Sequence, residues 1–147
     1  MRASASMPMV SRPVSVDGRR LVDGGVTCAV PYQMMLDQGY DRLVIVLTQP
    51  KGYRKKPARL CPLLRLMLHG YPALYEAICR RHIMYNGQMD ALDRMEAKGE
   101  ALVIRPPEPL AIGHTEKDPR ELERVYRVGV REAEKRLAEI KQYLNGG

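Results

Sequence analysis

The sequence predicts an α/β fold, and two apolar runs with a helical stretch between them carry that prediction. Residues 43–48 (LVIVLT) and 101–104 (ALVI) are continuous and rich in β-branched side chains. Such runs are typical of strands covered on both faces, as in a parallel sheet. Between them, apolar residues keep helical spacing from Pro72 to about Lys98. Helices, glycine turns and apolar strands in this succession indicate an α/β domain.

A hairpin and a short helix are predicted ahead of the first apolar run. The alternating segments 14–16 and 20–22 lie on either side of Asp17-Gly18, which is a β-hairpin signal. Pro31 suits the first position of a helix over 31–38, and Gly39 suits its end.

The rest of the chain is predicted to be mainly helical. A short apolar helix is expected over 60–70, and a final helix is expected from Asp118 to the end of the chain. Asp118 and Glu121 have the spacing of a capping box. Gly129, in the middle of this helix, predicts the close approach of a neighbouring element. Two favourable pairs four residues apart are expected on it: Glu123–Arg127 and Glu132–Arg136.

The charge of the chain is positive and unevenly distributed. The formal net charge is +7, and residues 1–60 hold ten basic and four acidic side chains. A positive first segment predicts an anionic partner. The chain has no Trp and no Phe, which argues against a stacking platform for single-stranded nucleic acid. We expect no nucleic-acid partner.

The loop 51–59 concentrates basic residues and contains no acid. Its candidate contacts to anionic headgroups are Lys51, Arg54, Lys55 and Lys56. The same residues fit phosphates of nucleic acid, and a charge run is also typical of a solvated loop. A non-enzymatic basic module that binds anionic membrane or nucleic acid is therefore the alternative function.

The three cysteines, Cys28, Cys61 and Cys79, form no close pair along the chain. Such a set predicts neither a disulfide framework nor a zinc site, and it favours a reducing, cytoplasmic compartment. No apolar run approaches the ~18 residues of a transmembrane helix. We expect no metal and no organic cofactor.

The strongest site candidate is Asp23, which leaves a predicted strand and is followed by Gly24 and Gly25. A carboxylate in that position can be held at the end of a sheet while a ligand approaches closely. Asp-Gly is also a common turn dipeptide, so a turn that reverses the chain remains the alternative interpretation.

Several short motifs, taken in order, resemble the second half of patatin-like phospholipases. They are ASASMP (3–8), DGRRLVDGG (17–25), DQGYDRLVIVLTQPKGYRKKP (37–57) and VIRPPEPL (103–110). The last two are similar to the bacterial branch of that family. The resemblance covers nearly the whole chain.

The resemblance implies a serine acyl hydrolase with a Ser–Asp dyad, acting on acyl esters of phospholipid or another lipid. The implied fold is the C-terminal half of a three-layer α/β/α sandwich, with a mostly parallel sheet and a long C-terminal helix. Its aspartate falls on Asp23, with Gly24 and Gly25 as supporting residues. Residues 1–147 would then be one part of a hydrolase domain. Its segments are a D-G-G-bearing sheet segment (1–50), the basic loop (51–59) and a helical region with one strand near 101–105 (60–147).

The chain departs from the family by lacking a G-x-S-x-G nucleophile elbow and a glycine-rich oxyanion loop. None of the serines Ser4, Ser6, Ser11 and Ser15 has glycines at the elbow positions. We therefore expect the isolated chain to be inactive, and we expect its partner to be the missing N-terminal half that carries the nucleophile. Exposed edges predict homo-oligomers. The location is expected to be cytoplasmic, with peripheral membrane contact.

Overall fold

The computed structural model describes Ser6 and residues 13–59, 61–113 and 115–146. The chain divides into two compact units, each drawn from two stretches of sequence. Unit 1 comprises Met1–Pro31 and Arg54–Asp90, and unit 2 comprises Tyr32–Tyr53 and Ala91–Gly147. The predicted mixed α/β class is confirmed, with a parallel pair of strands and a long helix.

Unit 1 begins its described part with the predicted hairpin. Strand β1 (Val14–Val16) pairs antiparallel with β2 (Arg19–Leu21), so that Val14 lies opposite Leu21. Asp17 and Gly18 form the turn with φ of 47° and 72°. Two positive φ values in a two-residue loop match the right-handed twist of the strands, which explains why this dipeptide predicts a hairpin.

Three helices complete the described part of unit 1. A 3₁₀ helix covers Gly24–Val26, and helix α2 covers Cys61–Met67. Leu60, where the sequence predicts α2 to begin, lies outside the described residues. The long helix α3 covers Pro72–Lys98, as predicted, and contributes 72–90 to unit 1 and 91–98 to unit 2.

A disulfide joins Cys61 of α2 to Cys79 of α3, with their Cα atoms 6.0 Å apart. The expectation that the cysteines stay unpaired is therefore wrong. Their 18-residue separation hides the pairing, because the chain turns between α2 and α3 and brings the two positions together. The cysteine pattern consequently gives no support to a reducing compartment. Cys28 is a free thiol.

Unit 2 contains the predicted parallel strands. Helix α1 (Tyr32–Asp37) precedes β3 (Leu43–Val46), which pairs in parallel with β4 (Ala101–Ile104). Every residue of β4 is buried, and Val103 is 1% exposed. Val46 at the end of β3 is 70% exposed, so the prediction of two covered faces holds for β4 and not for the end of β3.

The predicted final helix is two helices, α4 (Pro119–Lys135) and α5 (Leu137–Asn145). They separate at Arg136, whose φ of −105° and ψ of 4° are not helical. The Arg136 guanidinium donates to the carbonyl of Val103 and to the Glu139 carboxylate. These contacts replace the expected pairing of Arg136 with Glu132.

Other local expectations for α4 are also corrected. Asp118 caps the helix by accepting from the N–H of Arg120 at 2.9 Å, while Glu121 pairs with Arg124 instead of completing a capping box. A Cβ on Gly129 would meet nothing within 4 Å, so no neighbouring element requires that glycine. The Glu123–Arg127 pair is present at 2.7 Å.

Among the described residues, no helix is long and apolar enough to cross a membrane. Neither α4 nor α5 contains a buried residue, and apolar side chains including Leu122 and Leu144 are about half exposed.

Candidate functional site

Asp23 stands at the start of a tight turn, residues 23–26, which we call the Asp23 turn. Its Oδ1 accepts a hydrogen bond of 2.7 Å from the N–H of Gly25 and thereby caps the 3₁₀ helix. The N–H of Asp23 donates to the backbone carbonyl of Ser6 at 2.9 Å. Apart from Ser6, the A-S-A-S-M-P segment lies outside the described residues. The side chain of Asp23 is half-buried. Its hydrogen bond from the N–H of Gly25 fixes the direction of the carboxylate.

The two glycines of the Asp23 turn differ in what surrounds them. A Cβ on Gly25 would lie 3.1 Å from Asp23 Oδ1 and 3.5 Å from Arg81 Nη2. A Cβ on Gly24 would meet nothing within 4 Å. The predicted role of a glycine that keeps space open beside the carboxylate therefore fits Gly25, and no neighbouring atom requires a glycine at position 24.

Two side chains of helix α3, Arg81 and Gln88, form hydrogen bonds to the backbone of residues 25–30, which follow Asp23. Arg81 Nε donates to the carbonyl of Gly25 at 2.8 Å. The Gln88 side chain accepts from the N–H groups of Ala29 and Val30, both at 3.2 Å, and donates to the carbonyl of Val30 at 3.0 Å. Two turns of helix separate Arg81 from Gln88, so one face of α3 positions residues 25–30.

Arg81 and Gln88 were not among the site residues predicted from the sequence. Their seven-residue spacing shows that they share a helix face, which is a signal available in the sequence. That spacing does not reveal which loop the face meets, because the contact joins positions more than 50 residues apart.

Two of the four predicted basic contacts are engaged in ion pairs. In unit 2, Lys51 Nζ lies 3.3 Å from Glu96 Oε2. In unit 1, Arg54 Nη2 lies 2.5 Å from Asp90 Oδ1. Both cations are largely or partly exposed, so each pair contributes at most about 1 kcal/mol to stability. The loop 51–59 therefore divides between the two units, and its charges have separate partners.

The other two predicted contacts, Lys55 and Lys56, differ from each other. The backbone of Lys55 is fixed by the Asn86 amide, which accepts from its N–H at 2.8 Å and donates to its carbonyl at 3.1 Å. Its Nζ lies 5.3 Å from the centre of the Tyr85 ring. Burial, and then the nearby charge of Arg81, lower the pKa of Lys55. Lys56 is exposed.

In unit 2, Arg105 takes part in an ion network at the end of β4. Arg105 Nη2 donates to Glu96 Oε2 at 3.2 Å. Arg105 Nη1 lies 2.8 Å from Asp93 Oδ1, in an orientation that is not a hydrogen bond. The Arg105 side chain is 9% exposed, while its partners Asp93 and Glu96 are 28% and 23% exposed, so a nearly buried guanidinium is paired with two partly exposed carboxylates.

Unit 2 also contains a pocket of about 190 Å³ at the carboxyl ends of β3 and β4. Its lining is largely apolar and comes from the residues after both strands and from α4. Its apolar lining includes Leu47, Ile104, Leu110, Val125 and Val128. Ligands of α/β sheets bind at this end of the strands, but no predicted site residue lines the pocket.

Residues 71–145 match the family described as a domain of unknown function, DUF6363. The matched segment is just over half of the chain. The chain belongs to the DUF6363 family. No curated protein matches it.

The DUF6363 segment begins immediately before α3 and ends with α5. It therefore contains Arg81, Gln88 and Arg105, while Asp23 and the loop 51–59 precede it. Within the described residues of the DUF6363 chain, no group of three or more His, Cys, Asp or Glu could hold a metal ion.

Proposed function

We propose that the chain supplies the acid partner, Asp23, of a Ser–Asp acyl hydrolase of the patatin-like phospholipase type. The substrate would be an acyl ester of phospholipid or of another lipid. The nucleophilic serine would come from a G-x-S-x-G segment outside these 147 residues. The observation that carries the proposal is the fixed direction of the Asp23 carboxylate beside Gly25, where a Cβ would crowd Oδ1 at 3.1 Å.

The hydrogen bonding of Asp23 suits a proton acceptor. Oδ1 is occupied by the N–H of Gly25, and among the described residues no donor binds Oδ2. Oδ2 would take the serine proton as Oγ attacks the ester carbonyl carbon, and that proton would then pass to the leaving alcohol. In the second step Asp23 would take a proton from the water that attacks the acyl-enzyme. That proton would pass to the serine Oγ as the bond from Oγ to the acyl group breaks.

Capping of the 3₁₀ helix accounts for the hydrogen bond to Asp23 Oδ1 and gives no role to Oδ2. Here Arg81 and Gln88 of α3 hold residues 25–30 with side-chain hydrogen bonds. Such support is expected where the position of a carboxylate matters.

The fold proposed for the whole enzyme is a three-layer sandwich in which β3 and β4 belong to a larger, mostly parallel sheet. The 70% exposure of Val46, next to the buried β4, supports an additional covering segment. The partner that this proposal requires is a segment that carries the G-x-S-x-G nucleophile.

A fusion tests the proposal. The N-terminal half of a bacterial patatin-like hydrolase, ending before its own D-G-G, is joined to Met1, and hydrolysis of p-nitrophenyl butyrate is measured. We expect activity from the fusion and none from this chain alone. Asp23→Asn should lower kcat by about 100-fold or more, because a positioned base contributes about that much.

Asp17→Asn is the matched control, since Asp17 is an exposed hairpin residue that has a positive φ which asparagine also tolerates. It should leave the activity of the fusion unchanged. Equal activity of the Asp23→Asn and parent fusions would overturn the proposal. So would a fusion that folds, as judged by circular dichroism, and hydrolyses no ester.

A further inference from the structure

Helix α2 in unit 1 exposes three large apolar side chains, which we call the α2 stripe. Leu63, Leu66 and Met67 are 52%, 74% and 59% exposed. Their spacing of three and four residues places them on one face of the helix. Another face is attached to unit 1, because Leu64 is buried and Cys61 forms the disulfide to α3. The α2 stripe is therefore held in place with its apolar side chains uncovered.

The α2 stripe lies in a stretch of chain that is rich in cations and contains no acid. Residues 54–75 include five Lys and Arg side chains and no Asp or Glu. Arg65 belongs to α2 itself, and Lys56 and Arg59 precede the helix by a few residues. All three are exposed, and none of the ion pairs between described residues includes them. Exposed leucines beside exposed cations are typical of a surface that binds anionic lipid.

The charges favour a membrane over a protein as the partner of this surface. A second copy of the chain would bring the same cations to the contact, where they would repel each other. A different protein segment would need carboxylates opposite Lys56, Arg59 and Arg65, because an unpaired cation is costly to bury. In a bilayer, leucines enter the acyl boundary while long basic side chains end at the level of the phosphates. An anionic bilayer therefore suits both the apolar and the charged residues.

We propose that the α2 stripe and these three cations form a peripheral binding surface for an anionic phospholipid bilayer. The stripe would enter the boundary between headgroups and acyl chains, and the cations would contact phosphates. This surface differs from the headgroup contacts predicted from the sequence, because two of those residues, Lys51 and Arg54, pair with Glu96 and Asp90. Binding requires no ester hydrolysis, so it is independent of the role proposed for Asp23.

Flotation of the full chain with lipid vesicles tests this surface. One set of vesicles is pure phosphatidylcholine, and the other is phosphatidylcholine mixed with anionic phosphatidylglycerol. We expect binding to the anionic mixture to be tighter by about tenfold or more, since each cation near an anionic surface contributes about fivefold. A chain that binds neither kind of vesicle, or binds both equally, would overturn the proposal.

Two matched pairs of variants locate the binding surface. Leu63→Ser is compared with Leu144→Ser in α5, because the two leucines are 52% and 51% exposed. Arg59→Gln is compared with Arg120→Gln in α4, which is also exposed. Leu63→Ser and Arg59→Gln should each weaken binding to anionic vesicles about fivefold or more, and the two controls less than about twofold. Equal weakening within both pairs would show diffuse attraction and contradict the proposal.

Because the chain has no Trp, a single introduced indole reports directly which surface enters the bilayer. The emission of Leu66→Trp should shift to shorter wavelength when anionic vesicles are added, and brominated lipid should quench it. Leu144→Trp should show neither effect, and equal shifts at both positions would overturn the proposal. An emission of Leu66→Trp that shifts with protein concentration alone, and no further with vesicles, would show that a second copy covers α2 and would also overturn it.

Discussion

Replacing Gly25 by alanine tests the geometry of the Asp23 turn, and Gly24→Ala is its control. The added Cβ would lie 3.1 Å from Asp23 Oδ1 at position 25, and would meet nothing within 4 Å at position 24. Neither glycine has a positive φ, so the backbone conformation opposes neither substitution. Any difference between the variants therefore reports the space beside the carboxylate.

The expected magnitude follows from the hydrogen bond that the Cβ disturbs. A contact of 3.1 Å forces the carboxylate to move by a few tenths of an ångström, which weakens its 2.7 Å bond from the N–H of Gly25. Such a capping bond to a charged acceptor contributes about 1.5 kcal/mol. A glycine-to-alanine change also stabilises by about 0.4–1 kcal/mol through the unfolded chain. We expect Gly24→Ala to be more stable than Gly25→Ala by about 1.5 kcal/mol.

Urea unfolding of the two variants, followed by circular dichroism at pH 7, gives the difference in the free energy of unfolding. Hydrogen exchange of the residue-25 amide reports the capping bond directly, and its protection should fall only in Gly25→Ala. Two variants of equal stability, with equal protection at that amide, would refute the argument that Gly25 makes room for Asp23.

Three further predictions concern stability. Gly129→Ala should raise the free energy of unfolding by about 1 kcal/mol, because its Cβ meets no neighbour; a lower thermal midpoint would instead indicate an unseen contact. Cys79→Ser should cost about 3 kcal/mol by opening the 18-residue loop closed with Cys61. A reducing agent should then lower the thermal midpoint of the wild type and leave that of the variant unchanged. The hydrogen bond from Arg136 lowers the pKa of Glu139, so its stabilisation is present at neutral pH. It is lost as the pH falls below the ordinary value of ~4.3 and through the lowered pKa. Glu139→Gln should flatten this acid limb of the stability curve, and an unchanged limb would contradict the assignment.

Local signals in the sequence predicted most of the elements. Asp17-Gly18 indicated the hairpin because both residues tolerate a positive φ. Helix α3 begins at Pro72 and ends before Gly99, whose φ is 74°, because proline fits a helix start and glycine fits the left-handed end. In these places the residue type itself determines the backbone conformation.

Predictions that depend on competing tertiary contacts were wrong. The spacing of Glu132 and Arg136 suits a pair within one helix, yet Arg136 binds the Val103 carbonyl and Glu139 at the break between α4 and α5. A helical period contains no information about such an acceptor on β4. The pairing of Cys61 with Cys79 likewise depends on how α2 and α3 pack.

The candidate site was predictable in part. Asp23 and its glycines stand out because an acid followed by two glycines restricts local geometry. Arg81 does not stand out, since it is one basic residue among 24. Only the fold places Arg81 beside Gly25 and gives Lys51 and Arg54 partners of their own.

The most direct measurement of the central claim is the ratio of kcat/KM between the Asp23→Asn and Asp17→Asn forms of the active fusion. A ratio of about 0.01 or lower is expected if the carboxylate at position 23 takes the proton of the serine. A ratio near one would show that this carboxylate only caps its turn.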